Sequence, residues 1–88
     1  MNPPVPPYWF TQRQAKLTPV EGGDWYRLTA PNQEEAYITV RQGENGCYAA
    51  VLRRAADGPD TAVTEPIYDN LPDAWGAAFE LYRREVVV

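Results

Sequence analysis

The chain contains no histidine and a single cysteine, Cys47, and these two scarcities exclude a great deal. Without histidine there is no Ser-His or Cys-His mechanism, no imidazole metal ligand and no charge switch near neutral pH. One thiol cannot close an intrachain disulfide or build a cysteine cluster, and a zinc site made of one thiolate and carboxylates departs from the usual ligand sets. No run approaches the ~18 apolar residues that a membrane-spanning helix needs, so no membrane partner is expected. Positive charge is also scarce: eight basic residues stand against twelve acidic ones, for a net charge of −4. Non-specific affinity for nucleic acid comes largely from cations on phosphates, so the overall sign opposes that partner.

Motifs that carry chemistry are equally sparse. No GxxxxGK[ST] or GxGxxG phosphate loop occurs, and Asp57, Asp60, Asp69 and Asp73 lack the alternating spacing of a calcium loop. Turn and capping roles account for those four aspartates. Glu34 and Glu35 sit in a polar loop, where adjacent carboxylates are ordinarily solvated. Cys47 has the character of a structural cysteine. The expectation is a protein that is not an enzyme and holds neither cofactor nor metal.

What is present is fold information. Eighty-eight residues with 44% hydrophobic content suffice for one small core. Four prolines fall within residues 1 to 7. They predict an extended or mobile segment, followed by three adjacent rings, Tyr8, Trp9 and Phe10, with one or two tucked against the core edge. Residues 1–10 are therefore read as a Pro-rich, aromatic arm and 11–88 as a single domain. The prolines satisfy PxxP spacing, but no basic residue flanks them before Arg13. The opening residues have neither a basic n-region nor an apolar h-region, and cytoplasmic residence is the expectation.

Downstream, apolar residues alternate with period two and then switch to a period of 3.6. Tyr26 and Leu28, then Ala36, Ile38 and Val40, then Tyr48, Ala50 and Leu52 mark one face of three strands. Asn45-Gly46 is a hairpin signal between the second and third of these. Flanking stretches, Gln14 to Val20 and Thr61 to Tyr68, read as edge strands, because each contains a proline. From Asn70 to Val88, Leu71, Ala74, Trp75, Ala78, Phe79, Tyr82 and Val86 form one helical stripe. Asn70 is the expected N-cap, with Pro72 and Asp73 in the first turn. Gly76 is out of place mid-helix, and tight helix–sheet contact is the expected reason. The fold class is thus α+β: an antiparallel sheet of three to five strands with one C-terminal amphipathic helix on one face.

The opposite sheet face raises the functional question. If the apolar set faces the helix, then Trp25, Arg27, Tyr37, Arg41 and Arg53 share the other surface, which is aromatic and basic on an acidic protein. Trp, Tyr and Arg are the types enriched at protein-interface hot spots, and such contacts need no excess of positive charge. The expected function is therefore a small binding or accessory domain acting through protein–protein contacts, with another protein or a second copy. Self-association is expected either through this face or through the edge strand near Thr61 to Glu65. The alternative is nucleic-acid binding through the same face. The aromatic and basic character of the face suggests this alternative, and three antiparallel strands followed by a helix is also similar, in layout only, to integrase arm-binding domains.

Overall fold

A computed structural model describes residues 4–21, 24–55 and 57–87. Five strands form one antiparallel sheet in the order β1-β2-β3-β4-β5: Lys16–Pro19, Tyr26–Thr29, Ala36–Gln42, Tyr48–Arg53 and Ala62–Val63. Each strand pairs with its neighbour in sequence, so the sheet is a simple meander. The long helix, α2, spans Leu71–Tyr82 and packs across β3 and β4. A short helix, α1, spans Tyr8–Gln12.

The period-two pattern sets the sheet's two faces. Tyr26 pairs with Ile38 and Leu28 with Ala36, while Ile38 pairs with Leu52 and Val40 with Ala50. Leu28, Ala36, Ile38, Ala50 and Leu52 have no solvent exposure at all, and Val40 is nearly as deep. They meet Ala74, Trp75, Ala78, Phe79, Leu81 and Tyr82 of α2. Burying each large side chain of this set stabilises the fold by ~1.5–3 kcal/mol. Tyr26 sets its ring edge-on to Trp75, with centroids 5.3 Å apart.

The two edges are kept short, which limits pairing with other chains. Pro19, which has no N–H to offer, closes β1. Only two residues make β5, and part of its pairing runs through a side chain: the Ala50 amide donates to Thr64 Oγ1 at 2.9 Å. At the β3–β4 turn Gly46 adopts φ +85°, a conformation open to glycine at little steric cost. Asn45 Oδ1 accepts from the Cys47 amide there, and Asn45 Nδ2 donates to the Pro66 carbonyl.

At the start of α2, Asn70 Oδ1 accepts from the Asp73 amide at 2.9 Å, the N-cap bond its position predicts. The expected helix reaches Val87, the last described residue, but changes geometry on the way. Regular α geometry ends at Tyr82, and Arg83–Val87 form a wider π turn. Gly76 also departs from expectation. It is exposed, and a Cβ built there would meet nothing within 4 Å, so sheet contact does not explain it.

The N-terminal segment follows its expectation only in part. Residues 1–3 of it lie outside the described residues; residues 4–7 are irregular, but Tyr8 begins a helix. The Pro7 carbonyl accepts from the Phe10 amide at 3.1 Å. The helix then ends in a Schellman turn: the Ala15 amide donates to the Phe10 carbonyl and the Gln14 amide to the Thr11 carbonyl, with Gln14 at φ +60°. That reversal aims the chain into β1. It also leaves Phe10 buried, edge-on to Phe79 at 5.1 Å and tilted against Tyr82 at 5.9 Å. Trp9 is half-buried beside Phe10, and Tyr8 stays in solvent.

Candidate functional site

Strand register brings the five candidate residues to one side of the sheet. Arg27, Tyr37 and Arg53 form a row across β2, β3 and β4, since Arg27 pairs with Tyr37 and Tyr37 with Arg53. Arg41 pairs with Ala49 two steps further along. No bulge intervenes between β3 and β4, so Arg53 keeps to this face. Trp25, immediately before β2, lies under the Arg53 guanidinium, whose carbon is 4.5 Å from the ring centroid. A cation held over an indole at this distance is worth ~0.5–2 kcal/mol, depending on its desolvation.

Trp25 is therefore covered in part by Arg53. The register puts Trp25 on the face away from α2, whereas Phe10 of the N-terminal aromatic run packs against α2 itself.

Asp60 organises this surface. Its carboxylate accepts from Arg53 Nε at 2.7 Å and from Arg41 Nη1 and Nη2 at 3.0 and 3.5 Å. The Arg53 hydrogen bond, followed by that of Arg41, holds the Asp60 carboxyl below its ordinary pKa of 3.8. Nineteen residues separate Arg41 from Asp60, so only the meander and the β4–β5 loop bring them together. Arg27 has no ion-pair partner among the described residues.

Part of this face is closed. Thr39, Ala49 and Val51 point away from α2 yet are buried, Val51 completely. Thr39 Oγ1 donates to the Asp24 carbonyl at 2.9 Å, which ties the β1–β2 loop against the sheet. The arrangement is thus a thin second layer: loop backbone at Asp24, the Trp25 ring, the Arg53 guanidinium and the Asp60 carboxylate. Such a layer offers an aromatic and cationic rim rather than a deep pocket, and suits a flat macromolecular contact.

A second surface lies on the helix side. Pro4, Val5 and Pro7 face Leu71, Pro72, Trp75, Gly76 and Glu80 across a largely apolar groove of about 570 Å³. Pro4 is buried and Val5 almost fully exposed. Trp75 is 4% exposed, yet its Nε1–H has no acceptor among the described residues. Sequence reasoning passed over this groove. Its signal was the glycine at position 76, which removes a side chain from the exposed flank of a helix whose stripe is otherwise continuous.

Comparison with protein-family models, with curated proteins and with solved structures gives no match, so the geometry stands on its own. No helix among the described residues is long and apolar enough to cross a membrane.

Proposed function

We propose that this is a small non-enzymatic binding domain that acts through protein–protein contacts made by the outer sheet face. The observation that carries the reading is the position of Asp60. One carboxylate engages two of the three guanidinium groups on that face, and so withdraws much of the charge that a phosphate backbone would need. What it leaves is a pinned Trp25, a half-buried Tyr37 and an exposed Arg27, the residue types that concentrate binding energy at protein interfaces. Rigid anchors of this kind lose little side-chain entropy on association.

The test is capture of partners from native lysate by the tagged full chain, with and without nuclease. A stoichiometric protein partner, or a second copy, should survive nuclease and high salt. Trp25→Ala should weaken it by roughly thirtyfold or more, the scale of an interface hot spot. Recovery of nucleic acid alone would reverse the reading. Log affinity would then fall with log salt at about −0.7 to −0.9 per phosphate neutralised. Asp60→Asn, by freeing Arg41 and Arg53, would tighten that binding.

A further inference from the structure

We propose that the groove on α2 is a docking site for a proline-rich segment, in the polyproline II conformation, supplied by a partner protein. The surface is distinct from the outer sheet face, on the opposite side of the sheet. The chain itself provides the first argument. Pro4 and Pro7 of its own proline-rich stretch line this groove together with the helix flank, Pro4 buried and Pro7 half-buried. The apolar surface made by Leu71, Pro72 and Trp75 is therefore complementary to pyrrolidine rings.

The space left over has a suitable shape. At Gly76 no heavy atom lies within 4 Å of the position a Cβ would take, so the helix flank stays open between Leu71 and Glu80. Those nine steps of helix span about 13 Å at 1.5 Å each. Four to five residues of polyproline II, at about 3.1 Å each, cover the same length. The incoming segment lies between the arm's prolines and the Trp75–Gly76 flank.

The third argument is a donor without an acceptor. Trp75 lines the groove, is more than nine-tenths buried, and its Nε1–H has no partner among the described residues. A polyproline II segment makes no internal hydrogen bonds, so each of its carbonyls is available to such a donor. Aromatic-lined grooves take these segments because the ligand is ordered before it binds.

The experiment is an NMR titration of the ¹⁵N-labelled full chain with a capped hexaproline peptide, against a capped alanine–serine peptide of equal length. Binding should shift the Leu71 and Gly76 amides and move the Trp75 indole N–H downfield, saturably. The alanine–serine peptide should leave them in place. Gly76→Leu, which fills the groove with a good helix former, should weaken binding by about fivefold or more. Its thermal midpoint should be no lower than that of the parent, which separates a filled groove from a damaged fold. The proposal is overturned if the Trp75 indole does not respond or if both peptides act alike. It is equally overturned if Gly76→Leu binds normally, or if the same shifts arise from raising protein concentration alone, since a second copy would then be the occupant.

Discussion

Truncating Phe10 to alanine should show whether the residues ahead of the sheet are part of the folded unit or an appendage to it. The ring is 1% exposed and touches Phe79 and Tyr82 from two directions. Removing a buried phenyl ring costs about 3–5 kcal/mol in lost transfer energy and residual cavity. One edge-on and one tilted aromatic contact place the expectation in the upper part of that range, near 4 kcal/mol. At ~0.05–0.15 kcal/mol per residue, a domain of this length has a total stability of roughly 4–13 kcal/mol. The substitution therefore removes between a third and all of it. Urea denaturation followed by tryptophan fluorescence gives the number, and the thermal midpoint should fall by about 15–30 °C at the 4–8 °C per kcal/mol typical of small domains. Tyr8→Ala is the control. Its ring is exposed, and the change should stay within about 0.5 kcal/mol. A loss below ~1 kcal/mol for Phe10→Ala would refute the reasoning and make residues 4–12 a separable arm.

Four further outcomes follow from three residues. Gly76→Ala should stabilise the protein by about 0.5–1 kcal/mol, because the helix gains propensity and the new methyl meets open space; denaturation midpoints decide it. Tyr82→Phe should be neutral or stabilising, since the phenol oxygen is buried without a partner among the described residues, and a clear destabilisation would mean that the hydroxyl is engaged. Burial raises the Tyr82 pKa, so the parent should lose stability as pH climbs past the ordinary value of 10.0 and the phenylalanine variant should lose less. Asp60 titrates in the opposite sense. Its folded pKa is depressed, so its contribution is present above 3.8 and disappears as pH falls through the lower folded value; stability curves of the parent and Asp60→Asn should differ near neutrality and converge in acid.

The residues that announced their own structure were those governed by local periodicity. Ile38, Val40, Ala50 and Leu52 alternate, and alternation alone assigns a face once one side of a sheet is buried. Asn70 likewise declared itself, because a cap acts over three residues. What stayed hidden depended on distance. Asp60 reads as a turn residue until the fold carries it to Arg41 and Arg53. Phe10 follows four prolines; the sequence places one or two of the three adjacent rings against the core edge, but not the helix that carries Phe10 there. Its burial requires a Schellman turn at Gln14, where glycine would be the usual choice. The groove beside Gly76 was obscured for a different reason: a glycine within a helix reports only that a side chain is missing, not whether the vacated space is occupied. The wide turn after Tyr82 has no sequence signal that we recognise.

The order of the elements bears on how this chain can be made. Every sheet pairing joins strands adjacent in sequence, so each hairpin has its partner within a short stretch of newly emerged polypeptide. Those hairpins have nowhere to put their apolar face. The layer that covers it, Ala74 to Tyr82, is synthesised after all five strands, and Phe10 must await the same segment from the other end. Closing a loop of that length costs only a logarithmic entropy, but no partial chain can recover it. On the ribosome the nascent sheet would therefore remain an open, sticky surface until the helix clears the exit tunnel, and then collapse in one step. Stalling translation before residue 74 should yield a chaperone client or an aggregate, and release of the complete helix should convert it to a protease-resistant domain.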